Sequence, residues 1–233
     1  MEKYQVKNGE LIFPFGITKV EKSSFRDKIN HVNIVDRELV TTVVIPESVT
    51  EICSLAFDGF KNLKTLSIPN SVKSIGECAF RDCVSLRELS IPASVETIAD
   101  DAFFCCSALE SIIVDEDNTY YDSRNNCNAI IETATNKLIQ GSNNTVIPST
   151  VEVIDCSAFM NCTSLKEIEI PESVQVIGDA AFWSCENLKS LSIKNPQVQI
   201  GMNAFYGTPY AEDYNPQYLS KREQRGKNCG WYQ

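Results

Sequence analysis

Apolar residues recur along this chain with a 23-residue period. The cleanest copy runs from Ile68 to Ser90, IPNSVKSIGECAFRDCVSLRELS, and copies begin at Ile45, Ile68, Ile91, Ile147 and Ile170. Phe57, Phe80 and Phe103 are 23 residues apart, as are Phe159, Phe182 and Phe205, while 56 residues separate Phe103 from Phe159. That wide gap is one period plus 33 residues. Two shorter periodicities alternate inside each copy. Leu63-x-x-Leu66-x-Ile68 ends with the inward–outward alternation of a short strand. Pro69 then stops the strand, because it has no N–H for a ladder. Val72 and Ile75 return to the core. Ala79-Phe80-x-x-Cys83-x-x-Leu86 has three- and four-residue spacing, which predicts one or two helical turns along the opposite side. Successive strands are expected to pair in parallel, the rest of each coil serving as the crossover that a parallel ladder needs.

A fixed period of ~20–29 residues containing Leu-x-x-Leu-x-Ile marks a leucine-rich repeat solenoid. The fuller pattern IPxSVxxIxxxAFxxCxxLxxL resembles the BspA-like leucine-rich repeat family over roughly residues 41–208, and the stretch from Asn118 to Pro148 resembles an insertion that recurs there. The resemblance implies a non-catalytic binding protein of the cell surface or a secreted one, from a bacterium or parasitic protist. The expected fold is an α/β solenoid. It is a right-handed β-α superhelix with one parallel sheet, short helices or turns on its other side, and a β-hairpin insertion.

Three regions follow. Residues 1–40 hold a worn repeat in which Ile17, Val20, Ser24 and Phe25 echo the pattern, while Lys28 and His31 fill the Cys and Leu slots. Terminal repeats meet water instead of a neighbour, so this part reads as an N-terminal cap. Residues 41–208 form the solenoid, with an insertion at 115–146. Within it, Ala129–Glu132 and Lys137–Gln140 flank a polar turn and predict a hairpin. It is expected to replace one helix and to project from the convex side or an edge, before a strand at Thr145-Val146-Ile147. Residues 209–233 are a C-terminal cap or tail, with Tyr210, Tyr214, Tyr218, Trp231 and Tyr232 covering the last open Phe.

Composition narrows the function. A net charge of −10 and a pI near 4.7 do not suit a duplex-binding surface, which must displace counterions from phosphates. No apolar run reaches the ~18 residues of a membrane-spanning helix. The sequence MEKYQVKNGE lacks the basic-then-apolar layout of a signal peptide; localisation stays open, with the resemblance favouring the cell surface and this beginning allowing the cytoplasm. Four of the ten cysteines, Cys83, Cys106, Cys162 and Cys185, follow the repeat Phe by three residues, and the first copy has Phe60 in that slot. A slot that takes Phe or Cys is buried and apolar, so these are expected to be free thiols; Cys229 stands apart as a lone thiol. With a single histidine, His31, and no second CxxC-type pair, no structural zinc site is read. The acidic run Asp115, Glu116, Asp117, with Asp122 nearby, lacks EF-hand spacing and reads as a solvated loop. No nucleophile-elbow, phosphate-loop, dinucleotide or zinc-protease motif is present, so no catalytic residue, metal or cofactor is assigned.

What remains is the outward face of the strands. Register places Glu88, Ser90, Ser111, Ile113, Val146, Glu167 and Glu169 there, with Ile113 and Val146 as an apolar centre between carboxylates. This predicts a protein-binding face, with the hairpin insertion as a second candidate. The expected partner is a protein, such as a host or surface protein, and not nucleic acid or membrane; the chain itself is expected to be monomeric. A structural or self-assembling repeat protein without a dedicated ligand is the alternative.

Overall fold

In the computed structural model, residues 4–25 and 35–211 are described. Lys28, His31, Cys229 and the aromatic residues beyond Ala211 lie outside them. The coils stack as the period demands. On the front of the stack, Glu10–Ile12, Thr42–Val44 and Thr65–Ser67 pair in parallel, and Gln5–Lys7 adds an antiparallel strand at the N-terminal edge. Glu88–Ile91 pairs with Ser111–Val114, and Glu167–Ile170 with Ser190–Ile193, all in parallel. The alternation is as read: in Glu88–Ile91 and Glu167–Ile170 the first and third residues are exposed, the second and fourth buried.

The structure departs from a single sheet. A second row of two-residue strands runs down the back, where Lys19–Val20, Glu51–Ile52, Ser74–Ile75 and Thr97–Ile98 pair in parallel. Val153–Ile154, Val176–Ile177 and Gln199–Ile200 continue the same side beyond the insertion. All but the first of these strands contain the isoleucine of the V-x-x-I element, and Ile52, Ile75, Ile154 and Ile177 are buried in the core.

The predicted helical turns of the Ala-Phe segment are tight turns instead. In every regular coil the residues two before and two after the Phe have positive φ: Leu55 and Gly59, Cys78 and Asp82, Asp101 and Cys105, Ser157 and Asn161, Ala180 and Ser184, Asn203 and Gly207. A left-handed residue inside the segment breaks helical geometry. The alternation turns amides outward along the stack. The amides of Leu55, Phe57 and Gly59 donate to the carbonyls of Glu77, Ala79 and Arg81 in the next coil at 2.7–2.9 Å. Ser157, Phe159 and Asn161 repeat this toward Asp179, Ala181 and Trp183. A third ladder therefore holds the turn side, and its hydrogen bonds offset the cost of the unusual backbone.

Within this frame the Phe rings form a column. Phe57–Phe80 and Phe80–Phe103 stack with centroids 5.1 and 5.4 Å apart, and Phe159–Phe182 and Phe182–Phe205 at 4.7 and 5.1 Å. Phe25 of the worn repeat joins the column 5.7 Å from Phe57. The cysteine slot proves to be buried and thiol-bearing: Cys83, Cys106, Cys162 and Cys185 are free and almost fully buried. Three of them also donate to the carbonyl of the preceding coil's Phe, at 3.5 Å for Cys83–Phe57, 3.2 Å for Cys106–Phe80 and 3.1 Å for Cys185–Phe159. A small apolar group with a weak donor suits that position.

The insertion does not project. Ile130–Glu132 and Lys137–Gln140 form the predicted hairpin, but Lys137–Gln140 also pairs in parallel with Val153–Ile154. The hairpin is thus a member of the back ladder, and Tyr121–Asp122 adds one more antiparallel strand to it. Its inward residues, Ile131 and Leu138, are buried. The expected strand at Thr145–Ile147 is absent. That segment is held by turn contacts instead: Ser142 N–H donates to Thr145 Oγ1 at 2.7 Å, and Thr145 Oγ1 donates to the Asn128 carbonyl at 2.7 Å.

Candidate binding face

Six of the seven residues proposed for the sheet face fall on two strand pairs. Glu88 sits opposite Ser111, and Ser90 opposite Ile113, on one parallel pair. Glu167 and Glu169 lie on the other pair, opposite Ser190 and Ser192. Val146 belongs to neither pair, so it is not the register neighbour of Ile113 that alternation alone suggests. The missing strand at 145–147 leaves the front of the stack open between the two pairs. A groove of about 1310 Å³ occupies the side of this opening formed by Asn143–Ile147, Lys166–Glu169 and Ser190.

Val146, 72% exposed, stands in the groove wall, and Ile113, 58% exposed, lies on the pair beyond it. Neither can be explained by core packing. The charges around them are mixed. Glu169 pairs with Lys194 at 3.1 Å and Glu110 with Arg87 at 3.5 Å, both well exposed. Lys166, Glu167 and Lys189 also line the groove. Asparagines fix its floor: Asn143 Nδ2 donates to the Ser107 carbonyl at 2.9 Å, and its Oδ1 accepts from the Ser164 amide at 3.1 Å. Asn143 was not anticipated; it lies two residues before the stretch read as a strand at Thr145–Ile147. Because the walls are backbone-anchored, the groove is preformed.

A second, smaller concavity lies on the back, where the ladder passes from Thr97–Ile98 to the insertion. This notch of about 200 Å³ is lined by Asp100, Asp101, Glu132, Lys137, Asp155 and Cys156, among others. Tyr121 closes one edge by accepting the Ile98 amide on its hydroxyl at 2.8 Å. Burial and the neighbouring Asp100 carboxylate push the Asp101 carboxyl up to about 6, with Asp155 and Glu77 acting in the same direction. Burial works against the Lys137 ammonium, but its 3.0 Å pair with Asp155 outweighs this and raises it. Asp122 is not part of an acidic cluster with Asp115–Asp117. Arg124 holds it through two side-chain hydrogen bonds, which overcome burial and lower its carboxyl. No group of three or more metal-ligating side chains occurs among the described residues.

The position directly after the repeat Phe differs between the two ends of the stack. Near the N-terminus it holds Asp58 and Arg81, paired at 2.7 Å, with Lys22 3.6 Å from Asp58. Near the C-terminus it holds Met160, Trp183 and Tyr206, and the last two rings lie 4.4 Å apart.

Parallel coils with a repeat-Phe column and a front sheet define a leucine-rich repeat solenoid. A profile of the BspA type leucine rich repeat region matches residues 34–139 and 137–221 with six copies, and the chain belongs to that family. A leucine rich cell surface protein from Faecalibacterium prausnitzii is similar in crystal structure. It has 31% identity and a TM-score of 0.62, with 73% of this chain and 46% of that chain covered. The pneumococcal vaccine antigen PcpA (20% identity, TM-score 0.56, 82% and 60% covered) and a leucine-rich repeat protein from Bacteroides ovatus (20%, 0.53, 89% and 55%) share the fold. The chain spans between 46% and 60% of the length of these three proteins. No curated protein matches it. No helix among the described residues is long and apolar enough to cross a membrane.

Proposed function

We propose that the protein is a non-catalytic interaction module that binds a protein partner on its front face, in the groove between the two strand pairs. The observation that carries this reading is the preformed groove with Val146 exposed in its wall and Ile113 exposed beyond it. A desolvated apolar centre inside a polar, mixed-charge rim is the anatomy of a specific interface. Glu88, Ser90, Ser111, Glu167 and Glu169 form the rim, and Lys166 and Lys189 set its register by charge. Solenoid faces provide extended docking surfaces of this kind. The leucine rich cell surface protein among the similar structures supports a role in recognition at a cell surface.

A displayed peptide library tests it. Sequences selected on the wild type should bind it at least tenfold more tightly than an Ile113→Asp, Val146→Asp, Glu167→Lys variant of unchanged circular dichroism and melting temperature. Equal binding to the two proteins removes the front face from the reading.

A further inference from the structure

A front strand inside the stack is bonded along both of its edges. Thr65–Ser67 shows the pattern toward the coil before it: the Thr65 amide donates to the Thr41 carbonyl at 3.1 Å, and the Ser67 carbonyl accepts from the Ile45 amide at 3.0 Å. Ser111 and Ser190 stand where Thr65 stands, and donate in the same way to Arg87 and Lys166, each at 3.1 Å. In the strand Glu167–Ile170 the positions of Thr65 and Ser67 are held by Glu167 and Glu169. The following strand takes the carbonyls of Lys166 and Ile170, through the amides of Ser190 and Lys194 at 3.1 and 3.0 Å. Backbone groups of a strand alternate between its two edges, so those of Glu167 and Glu169 point the other way, toward the groove. Among the described residues no backbone bond joins them to the coil before. The turn at 142–147 is the reason. Its amides are engaged elsewhere: Asn143 donates to Leu109 at 2.8 Å, Thr145 to Ser142 at 3.3 Å and Val146 to Cys127 at 3.1 Å.

We infer that this edge takes up an extended segment of the partner as an added strand, whose backbone pairs with Glu167 and Glu169 and whose forward-facing side chains are basic. The inference rests on the reading of the groove as the binding site and adds the form and charge of what enters it. An unpaired edge is a template for strand pairing. In strand addition the main chain supplies affinity and alternate side chains supply specificity. The groove of about 1310 Å³ lies against this edge and gives the segment room. One set of its side chains faces inward to Ile147, Ile168 and Pro171, which line the groove. The other set faces forward beside the two glutamates. Glu167 has no ion pair among the described residues, and Glu169 has one exposed pair, with Lys194. Opposite charges side by side on neighbouring strands stabilise the pairing, and a net charge of −10 steers a basic segment toward the protein. Lys166 and Lys189 adjoin one end of the edge. They repel a basic side chain there, which holds the basic stretch at the level of the glutamates.

The probe is an acetylated, amidated seven-residue peptide of alternating Lys and Val, titrated into the full chain. It should bind the wild type, and about tenfold or more weakly the Ile113→Asp, Val146→Asp, Glu167→Lys variant. N-methylation of alternate residues removes the donors along one edge of the peptide. Methylating one set should weaken binding about tenfold, and methylating the other should change it little. Amide exchange read by NMR should slow about tenfold or more at Glu167 and Glu169 in the complex. It should stay unchanged at Ile168, which already belongs to the ladder with Ser190–Ile193. Equal effects of the two methylated sets, or unchanged exchange at both glutamates, overturn strand addition. If the triple variant still weakens the unmodified peptide in that case, the groove survives as a binding site without an added strand. Binding by the variant as tight as by the wild type removes the groove as well. No binding of the peptide at about 1 mM overturns the proposal. A peptide with Glu in place of Lys should bind several-fold more weakly at low salt, and equal or tighter binding overturns the basic partner.

Discussion

The coil of Phe80 and the oversized coil at residues 115–146 meet the same demands with different residues. Both must fill the column, continue the back ladder and satisfy the preceding coil. In the regular coils Ser94 donates to the Val72 carbonyl and Ser173 to Val151, each at 2.7 Å. The insertion uses Asn118, whose amide bridges the Pro92 and Val95 carbonyls at 2.9 Å. Phe57 and Phe80 donate their amides to Ala79 and Ala102; at the equivalent place in the insertion Gly141 donates to Ala158 at 2.8 Å. Gly141 therefore stands in the Phe slot without a side chain. The Phe159 ring fills the space, and a Cβ on Gly141 would come within 2.1 Å of it. The buried core divides here as well: Ile130 packs with the coils before the insertion, Ile131 with those after it. A solenoid coil is thus defined by its ladder bonds and packing positions, and the residues that fill them can change.

That comparison can be broken most severely at the column. Phe80→Ala removes a ring stacked on both sides and should cost ~3–5 kcal/mol. Phe103→Ala and Phe159→Ala are expected to fall in the same range, and Phe205→Ala below it, because the last coil lacks a following repeat. Urea unfolding that ranks Phe205→Ala as the most damaging contradicts the column.

Gly141→Ala comes next. A methyl group placed within 2.1 Å of the Phe159 ring forces that ring to move, and overpacking of this kind costs ~1–3 kcal/mol. The double variant Gly141→Ala, Phe159→Ala should be less destabilised than the sum of its parts, since the clash is gone once the ring is removed. Additive losses would mean that Gly141 is needed for its backbone and not for the space it leaves.

The regular coils were legible because the 23-residue spacing repeats every slot, and position alone separated buried cysteines from a metal or disulfide pattern. The turn side was not. Left-handed residues are usually signalled by Gly or Asn, but here Leu55, Cys78, Asp101, Ser157 and Ala180 take positive φ, so the three- and four-residue spacing looked helical. The insertion's hairpin was legible from its two apolar runs. Its place in the ladder was not, because parallel pairing with Val153–Ile154 is a long-range choice with no local mark. At the front face, alternation placed Glu88, Ser90, Ser111 and Ile113 on one pair. It failed at Val146, because Ser142 and Thr145 bond to each other in a turn and Asn143 bonds to Ser107 and Ser164 of the flanking coils.

The smallest effect probes the junction between the two kinds of coil. Asp101, the last regular coil's contribution to the notch, faces Asp100, Asp155 and Glu77, accepts a hydrogen bond from Ser157, and has its carboxyl pushed up to about 6. Its ordinary value is 3.8, so the folded state favours the protonated form. The stability it contributes is complete below about pH 4 and is lost as pH rises through about 6. Discounted for the partial exposure of the group, the change is ~1 kcal/mol, or roughly 2–4 °C for a chain of this size. It should be read between pH 4.5 and 7.5, with Lys137 the lining cation of the notch among the described residues. Asp101→Asn should flatten that rise in melting temperature on acidification and leave the front face unaffected. An unchanged pH profile in Asp101→Asn would place the titration elsewhere and leave the junction no different, electrostatically, from the contact between two regular coils.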